Sequence, residues 1–272
     1  MSPLKLTGKK AVAAPGAFNA AAALLVEKAG FEAVYISGAG LSNSNGLPDA
    51  GVLSREEVVG LSSAIIKAVK IPAIVDVDTG FGGPQEVEKT VRLFEAAGAS
   101  AVQIEDQEFP KRCGHLPGKT VVPAEEFVEK IKAAKAGRTK ADFRIIARTD
   151  ARATGGLDEA IKRGLLYAAA GADMIFPEAL ETKEEFREFA KQVKAPLVAN
   201  MTEFGRTPLI TLDEFTELGY SLVLFPMTAF RTAMKAMEEA LAELKAAGTQ
   251  KGLVKKMMTR EELYRLIRYD IS

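Results

Sequence analysis

The stretch PQEVEKTVRLFEAAGASAVQIED, residues 84–106, holds the unit from which the rest of the chain is built. Its first part carries apolar residues at helical spacing and stops at Ala97-Gly98, where glycine suits the left-handed cap that ends a helix. AVQIE (101–105) follows, a short and mostly apolar run of the kind expected for a parallel strand buried on both faces. The same succession recurs at Gly30 and Gly171, with Leu218-Gly219 as a variant. Working outward, the runs are AVAA (11–14), AVYIS (33–37), IPAIVDV (71–77), AVQIE, FRIIAR (143–148), ADMIFP (172–177), APLVAN (195–200) and SLVLFP (221–226). Eight strand–helix units predict an α/β fold of the (β/α)8 TIM-barrel type. A doubly wound open sheet is the runner-up, but neither GxGxxG nor GxxxxGK[ST] follows the first run. Beyond the eighth run, residues 228–247 read as one long helix, and TREE (259–262) reads as a capping box opening another. Residues 1–272 therefore read as a single barrel domain, with 227–272 as a C-terminal helical extension that covers a barrel end or is exchanged between subunits.

Lys plus Arg and Asp plus Glu each number 36, and no basic run is interleaved with aromatics, so neither nucleic acid nor an anionic membrane is an expected partner. The first residues lack a signal-peptide core, and no apolar run is long enough to span a bilayer. One cysteine in 272 residues cannot form an internal disulfide, which fits a reducing cytoplasm.

Barrel enzymes place their chemistry at the C-terminal ends of the strands. Those ends carry Ser37-Gly38-Ala39, Asp76 and Asp78, Glu105-Asp106, Arg148-Thr149-Asp150, Glu178 and Asn200-Met201-Thr202. Asp76 and Asp78 alternate along an extended segment and so share a face. With Glu105 from the next strand they suit a hard divalent cation such as Mg2+ held through oxygens and waters. The bland alternative is a turn cap at Asp78. The only cysteine and the only histidine, Cys113 and His115, lie in KRCGHLPGK (111–119), a basic, glycine-bearing connection. A buried structural thiol is a poor fit there, and Lys111 and Arg112 are expected to stabilise a thiolate. A long loop of this kind suits a lid. Lys111, Arg112, Arg148, Arg231 and Arg260 point to an anionic substrate with carboxylates.

Taken together, PGAFNAAAA, YISGAG, GLPDAG, DVDTGFGG, QIEDQ, KRCGHLPGK, ARTDA, FPEA, ANMTEFG, LFPMTAFR, GTQ and TREELY resemble the isocitrate lyase and phosphoenolpyruvate mutase superfamily, and within it the methylisocitrate lyases. The resemblance spans nearly the whole chain. It implies cleavage of a tricarboxylic acid, 2-methylisocitrate, to pyruvate and succinate, with Mg2+ (Mn2+ as a substitute) and a place in the methylcitrate cycle. It also implies a homotetramer built from dimers. By the same resemblance, Ser37, Gly38 and Ala39 hold the keto-acid carboxylate. Asp76 and Asp78 serve the metal, Asp78 more directly, while Asp49 and Glu105 reach its waters. Cys113 is the catalytic thiol, with Gly114 and His115 on the succinate side. Arg148, Glu178, Asn200, Met201, Thr202, Arg231 and Arg260 supply further substrate contacts, Tyr35 faces the substrate hydroxyl, and Phe176 and Leu224 shape a pocket for the extra methyl. Ala39 stands where many relatives have glycine, Pro117 is expected to stiffen the loop, and the end at Ser272 leaves a shorter tail than some relatives carry. An isocitrate lyase, another substituted-malate lyase, or a barrel that only binds diacids are the competing readings.

Overall fold

The computed structural model describes residues 3–6, 10–116 and 118–269; Pro117 and Ser272 lie outside them. Eight parallel strands, β1 (Val12–Pro15), β2 (Val34–Ile36), β3 (Ala73–Asp76), β4 (Ala101–Glu105), β5 (Arg144–Thr149), β6 (Met174–Pro177), β7 (Val198–Asn200) and β8 (Leu222–Phe225), coincide with the eight apolar runs, shifted or trimmed by a few residues. β2 to β6 form one continuous ladder and β7-β8-β1 another. Single parallel bridges, Gly16 with Tyr35 and Ile175 with Leu197, join the two arcs at both seams and make the strand order cyclic.

The helices are α1 (Ala20–Lys28), α2 (Gly38–Ser44), α3 (Arg55–Ala68), α4 (Pro84–Ala97), α5 (Ala124–Gly137), α6 (Arg152–Ala170), α7 (Lys183–Gln192), α8 (Leu212–Glu217), α9 (Thr228–Ala247) and α10 (Arg260–Leu266). Local chemistry starts and stops them. Ser54 with Glu57, Thr211 with Glu214 and Thr259 with Glu262 form reciprocal capping boxes at α3, α8 and α10. Gly98 ends α4 at φ +94°, as the Ala-Gly signal requires. The short α2, directly after β2, has no counterpart in the sequence reading, because GAGLSNS lacks an apolar period.

Alternation along each strand produces two cores. Tyr35, Ile74, Ala101, Ile146, Met174, Phe176, Val198, Leu222 and Leu224 fill the barrel interior. Val34, Val75, Val102, Ile145, Ile175 and Val223 face the other way, into the layer under the helices. This two-sided burial is why the runs read as continuously apolar. The register then sets the chemistry, since Asp76 pairs with Gln103, Glu105 with Arg148, Arg148 with Phe176, and Asn200 with Leu224. These residues share one rim at the C-terminal ends of the strands.

α9 leaves the barrel differently. None of its 20 residues is buried among the described residues, and Met234, Met237, Leu241 and Leu244 stand exposed on it. α10 returns toward the chain's own α1, where Arg268 reaches Glu27 and donates to the Ala68 carbonyl at 3.1 Å. Among the described residues no helix is long and apolar enough to cross a membrane.

Candidate active site

A cavity of about 130 Å3 opens at the C-terminal mouth of the barrel. Sixteen of the sequence-selected residues line it: Tyr35, Ser37, Ala39, Asp49, Asp76, Lys111, Cys113, Gly114, His115, Arg148, Phe176, Glu178, Asn200, Thr202, Leu224 and Arg231. Asn43, Pro226 and Met227 also line it and were not anticipated.

One wall is acidic. Asp76 Oδ2 accepts from the Gly38 N–H at 3.1 Å, so Gly38 contributes backbone here, and Asp76 Oδ1 accepts from the Asp78 N–H at 3.1 Å. The two aspartates converge for a reason other than strand alternation: Asp78 lies past the end of β3, in a left-handed conformation at φ +48°. Lys111 is buried between Asp49 and Asp78, bonded to the first and 2.8 Å from Asp78 Oδ1. The second contact is an ion pair outside hydrogen-bond angles, and Asp78 Oδ1 has no hydrogen-bond partner; neither has the buried Glu105 Oε1. Burial pushes the Asp76 carboxyl up to about 6, with Asp78 adding to the effect and Lys111 and Arg148 opposing it. Burial likewise raises Glu105, against Arg148 and Lys111.

Among the described residues no three acidic, His or Cys side chains form a ready metal cage. The donor set still fits a hard cation that keeps several of its waters. Asp49, Asp76, Asp78 and Glu105 outnumber the nearby cations Lys111 and Arg148, and two of their oxygens, Asp78 Oδ1 and Glu105 Oε1, receive no hydrogen bond. An uncompensated buried carboxylate is expensive, so a divalent cation answers both the charge and the orphaned acceptors.

Adjoining the acidic wall is an ionic lattice around Arg148. Its guanidinium bonds Asp150 bidentately at 2.9 and 3.0 Å, while Nη1 lies 3.3 Å from Glu105 and 3.2 Å from Glu178. It also stands over the Phe176 ring, 5.4 Å from the centroid. Burial opposes the charge on Arg148, but Asp150, Glu105 and Glu178 outweigh it and keep the cation. Burial opposes ionisation of Glu178 too; Arg148 and His115 overcome it and hold the carboxyl well below the usual range. His115 Nδ1 accepts from the Arg206 N–H at 3.0 Å, which puts the ring proton on Nε2, 3.1 Å from Glu178 Oε1. Asn200 Nδ2 donates to Glu178 at 3.1 Å and leaves Oδ1, buried, without a partner.

Cys113 faces the cavity on the loop between β4 and α5. Its thiol is pushed above the ordinary value, first by burial and also by Asp49 and Glu178, with the His115 N–H and Arg148 opposing. The expected depressed pKa is therefore reversed. Lys111 spends its charge on Asp49 and Asp78, and Arg112 is exposed, its guanidinium beside Gly118 rather than in the cavity. Tyr35 is a neutral hydroxyl: burial and Asp76 raise it well above 10, and it donates to Gln103 Oε1 at 2.7 Å. Arg231 is held by the Glu203 carbonyl at 2.7 Å and its carboxylate at 2.9 Å.

One further expectation is corrected. Met201 turns its side chain into the outer core, its sulfur accepting from the Ile210 N–H, and its own N–H is used by the Leu224 carbonyl. Arg260 opens α10 on the surface and does not line this cavity. Gln103, wholly buried, could have been found from the sequence as the uncharged polar residue of AVQIE, in phase with Glu105.

A closed parallel barrel with paired aspartates, an arginine–glutamate lattice and a thiol at its C-terminal mouth defines an enzyme of carboxylic acid chemistry. The phosphoenolpyruvate phosphomutase family model matches residues 4–245, and the chain belongs to that family within the isocitrate lyase and phosphoenolpyruvate mutase superfamily. It is 54% identical over 258 residues to a 2-methylisocitrate lyase of Aeropyrum pernix, covering 95% of this chain and 83% of that one. A 2,3-dimethylmalate lyase crystal structure superimposes with a TM-score of 0.91 at 35% identity, covering 96% of this chain and 87% of the other. A phosphonopyruvate hydrolase complexed with oxalate and Mg2+ gives 0.87 at 35% identity, covering 96% and 91%.

Proposed function

We propose that this protein is a carbon–carbon lyase that cleaves 2-methylisocitrate to pyruvate and succinate. The observation that carries it is that one cavity is lined by the sole cysteine, its thiol held protonated by burial, together with Asp76 and Asp49, in a chain this similar to 2-methylisocitrate lyases.

Asp76 and Asp78, with Asp49 and Glu105 around them, would hold Mg2+, or Mn2+ in its place. When bound, the ion supplies positive charge to the hydroxyl and carboxylate that become pyruvate. Ser37, the Gly38 backbone and Ala39 form the floor beside it, with the Tyr35 hydroxyl against the reacting oxygen. Arg148, His115 and Asn200 surround the other, succinate end, where negative charge collects as the substrate hydroxyl gives its proton to a carboxylate of the acidic cluster, its oxygen becomes the pyruvate carbonyl and the bond between the two halves breaks. Arg148 brings its charge, and His115 its Nε2–H, to that developing carbanion. Cys113 then gives its proton to carbon and becomes the thiolate. A raised thiol pKa suits that direction, because the acid must arrive protonated. Thr202 and Arg231 flank the outer carboxylates, and Phe176 and Leu224 leave apolar room for the methyl. One methyl decides only about 1–3 kcal/mol, so a second reading, a lyase of other substituted malates, draws support from the superposition on 2,3-dimethylmalate lyase.

The bare apolar side of α9 supports burial of that helix against a partner subunit, in keeping with a homotetramer built from dimers. The reducing cytoplasm is the proposed location, in keeping with the free thiol. Incubation with 2-methylisocitrate and Mg2+ should release pyruvate; no pyruvate at any Mg2+ concentration would overturn the assignment, and a higher kcat/KM for isocitrate or 2,3-dimethylmalate would select the second reading.

A further inference from the structure

Behind the cavity lies a buried network whose members Lys119, Asp150 and Asp106 do not line it. Lys119, whose side chain is 1% exposed, donates to Asp150 Oδ1 at 2.7 Å and also to the Gly114 carbonyl. The first acceptor grips Arg148 bidentately; the second belongs to the residue after Cys113. Asp150 is itself anchored from behind. Its N–H donates to Asp106 Oδ1 at 2.9 Å, and Asp106 Oδ2 accepts from Thr149 at 2.7 Å, Tyr167 at 2.8 Å and Arg163 at 3.1 Å. The antiparallel bridge between Gln107 and Val121 fixes the base of the loop two residues from Lys119.

We infer that Lys119 is a positioning residue that ties the seating of the Cys113 loop to the orientation of Arg148. Burying an ammonium is tolerable only with close partners. One of its partners is static, and the other arrives only when Gly114 is seated against Arg148. The ammonium therefore favours the seated loop, and by pulling on Asp150 Oδ1 it helps fix the plane in which Asp150 holds the guanidinium. Acid and carboxylate clamp are registered against each other through one nitrogen. This inference rests on the lyase reading, in which Cys113 and Arg148 meet the same substrate fragment.

The test uses the full chain with Mg2+ and follows three quantities: kcat and KM for 2-methylisocitrate, affinity for succinate, and the rate at which iodoacetamide labels Cys113 with and without succinate. In Lys119→Met, kcat should fall about 100-fold, the usual size for a displacement of about 1 Å at a reacting group. Succinate affinity should fall much less, and labelling of the ligand-free protein should accelerate several-fold. Lys119→Gln, which keeps two N–H donors without the charge, should restore part of the kcat. A folded Lys119→Met with kcat and labelling within twofold of wild type overturns the inference. If that variant does not fold, Lys119→Gln decides alone, a clear loss of kcat with faster labelling supporting it and wild-type values overturning it. Failure of the wild-type protein to cleave substrate, or of succinate to protect Cys113, would instead count against the lyase reading.

Discussion

Gly114 packs directly on Arg148. A Cβ built on this glycine would press into Arg148 Nη2 and stand 2.6 Å from Glu178 Cγ and 2.8 Å from Glu178 Cδ, inside any real carbon contact. Arg148 and Glu178 are locked by Asp150, His115 and Asn200, so the loop must yield. Gly114→Ala should lower kcat/KM by about 100-fold or more with little change in Tm, since the loop lies over the barrel and outside its cores. Activity within a few-fold of wild type would mean that the loop works from another position.

Cys113→Ser keeps the size of the side chain and removes the acid. Turnover should fall by about 10^2 to 10^4, the range for one positioned proton donor, while calorimetric binding of succinate stays near wild type. Undiminished turnover would take the sulfur out of the reaction.

The pH dependence of that thiol has a fixed sign. Burial disfavours the thiolate, and the charges of Asp49 and Glu178 disfavour it further. The protonated form is therefore held to higher pH than in an exposed cysteine. The rate of iodoacetamide labelling should rise with a midpoint above that of a free thiol, and a midpoint below it would contradict the geometry. No other cysteine contributes to the signal.

A divalent cation should stabilise as well as activate. Chelation should stop turnover, and Mg2+ at 100 times its Kd should add about 2.7 kcal/mol of stability by mass action. Thermal melting with and without Mg2+ reads this separately from activity. In Asp78→Asn the Mg2+-dependent rise in Tm should shrink; an unchanged rise would place the ion elsewhere.

Phe176 and Leu224 both line the barrel mouth and belong to the interior core. Leu224→Trp should remove room for the methyl and shift the ratio of kcat/KM for isocitrate over 2-methylisocitrate by roughly 10- to 200-fold toward isocitrate. A ratio unmoved by the substitution would show that the methyl sits against other residues.

The strands were readable because burial on both faces leaves no polar alternation to confuse with a helix, and AVQIE matches β4 residue for residue. Most of the cavity lining was readable because parallel register brings every strand end to one rim. Longer-range electrostatics were not. Asp76 and Asp78 converge through a left-handed residue at Asp78, a conformation that no alternation rule anticipates. The sign of the Cys113 shift depends on where Lys111 and Arg112 direct their charge, and both direct it away from the sulfur. Lys119 and Asp150 are 31 residues apart, and neither stands in a pattern that pairs them. Arg260 was selected for its charge, but α10 docks toward α1 and carries it to the surface.

The two seams of the barrel are fastened by one bridge each, whereas β4 and β5 are laced along five residue pairs. Local opening follows the least-protected backbone, so among the barrel's inter-strand amides deuterium should enter first at Ala17, which donates to Tyr35, and at Ile175, which donates to Pro196. Tyr35 belongs to one seam and Phe176 adjoins the other. Slow breathing of the cylinder would thus be felt first by the phenol and the phenyl ring that line the cavity, while the arc carrying Glu105 and Arg148 stays more firmly laced.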